Sequence, residues 1–215
     1  MKIAMLGGSF NPIHIGHLIL ADSVCKNLGY DKILFVPTAN PPHKELSCDV
    51  ASSDRFEMTR LAVLGDERFE AEGCEIERGG VSYTYDTICF LEQKYAPVLT
   101  GKIGLVMGED LIADYDKWYR APELAQKTDL ILAVRPKDSE LKAEFQNSPT
   151  EKYGKKPMQG VNRENFPFPH KIVENPRIEL SSSEIRQKIA EDGAWRYLVS
   201  ERVFEYIIER NLYAK

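Results

Sequence analysis

The chain has 215 residues, 43% of them hydrophobic and 28% charged, with a net charge of −5. That length suits one domain able to bury a core without staples, and the composition excludes a disordered chain. The acidic balance excludes a general nucleic-acid binder, which presents a basic face, and no apolar run is long enough to span a membrane.

In chain order, Lys2 to Leu6 reads as a buried strand stopped by Gly7-Gly8. From His14 to Leu28 the residues Ile15, Leu18, Ile19, Val24 and Leu28 recur at helical spacing, and Gly29 suits the cap beyond the end. Lys32 to Val36 is a second short strand, so the opening reads as a βαβ unit, the building block of parallel sheets. Pro37 to Ser53 is a proline-rich loop. Asp54 to Leu64 reads as a helix, with Asp54 as N-cap and Glu57 completing a capping box. Strand material follows over Phe69 to Ile76, then a helix over Thr84 to Tyr95 with Ile88 and Leu91 inward. Lys102 to Met107 and Asp129 to Val134 are strands. Residues 137–165 are mostly polar and read as an insertion or flap inside the domain rather than a boundary. Ile172-Val173 and Ile178 to Leu180 read as short strands, and Glu184 to Ala190 and Glu201 to Asn211 as helices.

The fold class expected is α/β: a Rossmann-like doubly wound parallel sheet with a C-terminal helical portion, one domain over 1–215. In such sheets ligands lie beyond the carboxyl ends of the strands. The four cysteines, Cys25, Cys48, Cys74 and Cys89, show no metal-ligand spacing and read as reduced thiols. The opening residues lack the apolar stretch of a secretory signal, so a cytoplasmic location is expected.

The first segment that carries chemistry is Gly7-Gly8-Ser9-Phe10-Asn11-Pro12-Ile13-His14-Ile15-Gly16-His17. Two glycines let the backbone turn tightly against a ligand. His14 and His17 are three apart at a helix start and share a face, and Gly16 leaves room for a close phosphate. The helix terminus adds unpaired N–H groups and a positive dipole end. The second segment is Leu180-Ser181-Ser182-Ser183-Glu184-Ile185-Arg186. A serine run opening a helix is, taken alone, a cap; the same hydroxyls and Arg186 suit phosphate oxygens.

The first segment closely resembles the signature of the His-x-Gly-His nucleotidyltransferases, and the second resembles their Ile-Ser-Ser-Thr-x-Ile-Arg motif, with Ser183 where threonine is usual. Three further stretches resemble the bacterial nicotinate-nucleotide adenylyltransferases among them. These are Pro41-Pro42-His43-Lys44, Val81-Ser82-Tyr83-Thr84-Tyr85-Asp86-Thr87, and Gly108-Glu109-Asp110 followed by Trp118 and Leu124. Arg135-Pro136 also matches.

The resemblance implies adenylyl transfer from ATP to nicotinate mononucleotide, giving deamido-NAD and pyrophosphate. It implies Gly7, Gly8, Ser9, Phe10, His14, Gly16, His17, Gly108, Asp110, Ser182, Ser183 and Arg186 around ATP. His14, His17, Lys44 and Arg186 serve catalysis, and Lys44, Thr84, Tyr85, Trp118 and Arg135 hold the acceptor. It further implies Mg2+ carried with the ATP phosphates and no protein metal ligand, with neither nucleic acid nor membrane as partner. A homo-oligomer stays open. The rival readings are phosphopantetheine or nicotinamide mononucleotide as acceptor, or a nucleotide sensor without catalysis.

Overall fold

The structure is a computed structural model, and it describes residues 1–40, 50–134, 165–176 and 178–214. Six strands form one parallel sheet: β1 (Ile3–Gly8), β2 (Lys32–Pro37), β3 (Phe69–Ala71), β4 (Gly104–Gly108), β5 (Asp129–Val134) and β6 (His170–Glu174), in the order β3-β2-β1-β4-β5-β6. The helices are α1 (Ile15–Leu28), α2 (Ser52–Val63), α3 (Cys74–Arg78), α4 (Thr84–Tyr95), α5 (Ala121–Lys127), α6 (Ser182–Ala190) and α7 (Glu201–Glu209), with a 3-10 segment over Glu109–Lys117.

Both faces of the sheet are covered, which is why its strands are apolar throughout rather than alternating. Ala4, Leu6, Ile33, Phe35 and Val106 pack with Val24, Met58, Ile185, Val203 and Ile207 on one side. Ile3, Met5, Leu34, Val36 and Leu105 pack with Ile88, Leu91, Tyr115 and Leu124 on the other. Strand order reverses between β1 and β4, so a crevice opens at their carboxyl ends. Among the described residues, no helix is long and apolar enough to cross a membrane.

Local signals hold where they are strong. Gly29 takes a left-handed conformation (φ 66°) at the end of α1, and its N–H donates to the Cys25 carbonyl at 3.1 Å. β5 spans Asp129–Val134 as expected. Four expectations need correction. Gly7-Gly8 do not stop β1, which runs through both and pairs them with Val36 and Pro37 of β2. Asp54 does not cap α2, which starts two residues earlier after Ala51. It is buried instead, accepting hydrogen bonds from the Tyr206 hydroxyl (2.7 Å) and Arg210 (3.3 Å). The strand expected over Phe69 to Ile76 stops at Ala71, and Cys74–Arg78 turns into α3. Residues Ile178 to Leu180 join no strand. The 3-10 segment and α5 were not anticipated. Cys25 and Cys74 are buried and Cys89 partly so, all unpaired, while Cys48 lies outside the described residues.

Candidate active site

The glycine pair ends β1 and hands the chain to a tight loop, Ser9 to Pro12. Gly8 is required by close approach, because a Cβ there would sit 3.0 Å from the Phe10 ring. Phe10 adopts φ 43° and buries its ring in the core against Phe35, so only its backbone can face a ligand. Side chains from three separate parts of the chain hold this loop. Arg55 of α2, 1% exposed, donates to the Ser9 carbonyl at 2.7 Å. Arg186 donates to the Asn11 carbonyl at 2.8 Å, and the Ser182 hydroxyl to the Pro12 carbonyl at 2.8 Å. The Tyr213 hydroxyl donates to the Asn11 side-chain oxygen at 2.7 Å.

The two phosphate-type motifs are therefore one structure. The start of α6 is docked on the loop that feeds the start of α1. Ser181 caps α6: the Glu184 N–H donates to its hydroxyl at 3.2 Å, and its own N–H donates to the Glu184 carboxylate at 2.9 Å. That division of labour assigns capping to Ser181 and leaves Ser183 paired with Arg186 at 3.1 Å. Both helix starts bring a positive dipole end to this loop.

His14 precedes the first turn of α1, and its ring stacks on His17 with centroids 3.8 Å apart. The His14 N–H donates to His17 Nδ1 at 3.2 Å, and the Phe10 ring meets His17 edge-on at 5.0 Å. Burial, and secondarily the charge of His14, push the His17 pKa down from 6.5 to about 3. His17 is thus a neutral imidazole near pH 7, with Nδ1 accepting from the backbone and Nε2–H left to donate. Gly16 also has a structural reason: a Cβ there would sit 3.1 Å from the His14 ring, so the glycine makes room for the histidine.

A cavity of about 570 Å³ occupies the crevice. It runs from Gly7, Gly8 and Thr38 to Ser82, Tyr83 and Thr84 at the start of α4, and on to Trp118 and Tyr119. Trp118 is partly buried, packing against Tyr115 at 5.3 Å while lining the cavity, so it is neither a pure core residue nor a free one. Tyr85 does not line it. Its ring turns toward Tyr119 (6.1 Å) and lies under the Arg120 guanidinium (4.2 Å). Tyr83 and Tyr119 take the wall positions instead, 4.8 Å apart. Thr87 is fully buried, donating to the Glu75 carboxylate at 2.7 Å and accepting from Arg78 at 3.0 Å, so it anchors α4 to α3 rather than facing the cavity.

Asp110 folds back over Gly108, its carboxylate occupying the space a Cβ there would take. Neither residue lines the cavity. Lys44, Arg135 and nearly all of the polar stretch over 137–165 lie outside the described residues. Sequence reasoning missed Arg55, Thr38, Tyr119 and Tyr213. Arg55 had a readable signal: with Met58 and Thr59 it forms one helical face that is buried, and an arginine on such a face marks a buried polar contact. Tyr119 was signalled only by its adjacency to Trp118.

A family model described as cytidylyltransferase-like matches residues 5–188. A probable nicotinate-nucleotide adenylyltransferase of Treponema pallidum (strain Nichols) is 38% identical over 213 residues, 99% of each chain. One of Borreliella burgdorferi is 34% identical over 215 residues, covering 100% of this chain and 98% of its own. Among solved structures, Plasmodium falciparum nicotinic acid mononucleotide adenylyltransferase complexed with NaAD superposes with a TM-score of 0.68. It covers 99% of this chain and 97% of its own at 20% identity, a likeness of fold. On a family model over most of its length and relatives alike from end to end, the chain belongs to the nicotinate-nucleotide adenylyltransferases of the cytidylyltransferase-like family.

Proposed function

We propose that the protein transfers the adenylyl group of ATP to nicotinate mononucleotide, forming deamido-NAD and releasing pyrophosphate. The observation that carries this reading is one continuous cavity joining the Gly7–Gly8 end of β1 to the Trp118 and α4 end. A flat heteroaromatic ring fits the Trp118 end, while His14, His17, Ser183 and Arg186 do not line the cavity and are grouped by the loop that follows Gly8.

The acceptor phosphate is ionised at neutral pH, so no general base is needed. One of its oxygens attacks the α-phosphorus, and the bond to the β,γ-pyrophosphate breaks with the electron pair leaving on pyrophosphate. Catalysis is then positioning and charge neutralisation. His14, His17, Ser183 and Arg186 serve the triphosphate, supported by the close backbone at the Gly7–Gly8 end of β1 and by the positive ends of both helix starts. Ser182 acts by holding the loop. Gly108 and Asp110 lie toward adenosine, and Lys44 and Arg135 serve phosphate. Trp118 and Tyr119 flank the pyridine ring, while the first turn of α4 at Thr84 and Tyr85 offers backbone N–H groups to its carboxylate.

Among the described residues no three His, Cys, Asp or Glu side chains converge as a metal cage. Mg2+ would enter with ATP as part of the substrate, held by phosphate and water.

The deciding experiment is pyrophosphate release from MgATP in parallel reactions with nicotinate mononucleotide, nicotinamide mononucleotide and phosphopantetheine. Release with the first alone is expected. Release with another acceptor would keep adenylyl transfer and overturn the acceptor pocket; release with none would favour a nucleotide sensor.

A further inference from the structure

α7 stops at Glu209, and the residues after it wind back onto the domain with Asn211 at φ 51° and Tyr213 at φ 66°. Asparagine tolerates the left-handed region; a bulky aromatic residue there is an outlier, and it persists only where the surroundings over-determine it.

The surroundings are identifiable. The Leu212 N–H donates to the Ile207 carbonyl at 3.0 Å, and Leu212 and Tyr213 pack against the core on the α1 and α2 side of the sheet. The Tyr213 hydroxyl lies 4.0 Å from the Met58 sulfur and donates to Asn11 Oδ1 at 2.7 Å, a contact spanning 202 positions of sequence. Asn11 is 2% exposed, and its own carbonyl accepts from Arg186. One buried residue is therefore gripped at its side chain by the C-terminus and at its backbone by the arginine assigned to ATP. Arg55 holds the same loop two residues earlier, at the Ser9 carbonyl.

We propose that Tyr213 is a positioning residue for adenylyl transfer. By fixing Asn11 it holds the Ser9 to Pro12 loop, and with it Arg186 and the histidine-bearing start of α1, in the geometry that the reaction requires. Tyr213 touches neither substrate. The proposal rests on the assignment of this loop to the ATP phosphates. Its kinetic signature follows from what each state tolerates. Ground-state phosphates can follow a loop that shifts by a fraction of an ångström, whereas an in-line transition state cannot, and misplacement of about 1 Å costs about 100-fold in rate.

The test is Tyr213→Phe, which removes one oxygen and keeps the packed ring. Its comparator is Tyr206→Phe, which removes a hydroxyl on α7 that binds Asp54 rather than the loop. Steady-state kinetics and Tm are measured for both in the full-length protein. Tyr213→Phe is expected to lower kcat by about 10-fold or more with both KM values within about threefold, as loss of orientation predicts. Tyr206→Phe is expected to lower Tm with kcat unchanged. Asn11→Ala, alone and combined with Tyr213→Phe, closes the cycle: the double variant should lose little beyond Asn11→Ala. Normal kcat in Tyr213→Phe, parallel loss of kcat and Tm in both tyrosine variants, or full additivity with Asn11→Ala would each overturn the proposal. A parent protein inactive with every acceptor would instead bring down the functional reading, and this proposal with it.

Discussion

The two ends of the cavity are built on different principles. At the Gly7–Gly8 end, the loop that follows has the carbonyls of Ser9, Asn11 and Pro12 each held by a side chain from α2 or α6, and the Asn11 side chain by Tyr213. At the α4 end, the wall is Tyr83, Trp118 and Tyr119, held mainly by ring contacts. Arg120, itself left-handed at φ 55°, closes that corner over Tyr85. Hydrogen-bonded carbonyls leave little freedom, which suits a site that must align a reaction in line. Ring contacts tolerate sliding, which suits a site that has only to select a flat ring. If the proposed function holds, turnover should depend on the first end and acceptor selection on the second.

That assignment can be broken most sharply at His17. His17→Ala should lower kcat by about 100-fold or more, the scale for removing one transition-state hydrogen-bond donor, with Tm little changed. Near-normal turnover would remove His17 from catalysis and dissolve the contrast. A smaller effect is expected at the other end. Trp118→Ala should raise the acceptor KM by about 10-fold or less, as lost aromatic stacking predicts, and leave the ATP KM alone. A fall in Tm with unchanged KM would make Trp118 a core residue through its contact with Tyr115. The smallest effect is a titration. With the His17 pKa pushed down to about 3, NMR of the free protein should show no His17 midpoint near neutral pH, and bound triphosphate should raise it by favouring the cation. The unfolded chain takes up this proton below about pH 6.5 while the folded one does not, so His17 lowers stability progressively as pH falls from there toward about 3. A free-protein midpoint near 6.5 would show that the stacked pair is open to solvent.

Legibility in the sequence tracked the range of the interactions involved. The βαβ opening, the glycine cap of α1 and the span of β5 rest on periodicity and punctuation within a few residues, and they appear as read. Asp54 carried a valid local capping pattern, yet a distant tyrosine and arginine claimed its carboxylate. The closeness of the His14 ring to Gly16 depends on χ angles, which local pattern does not specify. Tyr85 and Tyr83 are two residues apart at a helix start, and only the position of the Tyr119 corner decides which faces the cavity.

The doubly wound sheet, the two serine- and histidine-bearing motifs and the family are legible in short stretches whose spacing is their signal. Folding joins the motifs into a single loop assembly, buries Arg55 behind it and brings Tyr213 back onto Asn11. Those are contacts between residues 46, 175 and 202 positions apart, formed by side chains whose partners local pattern cannot specify.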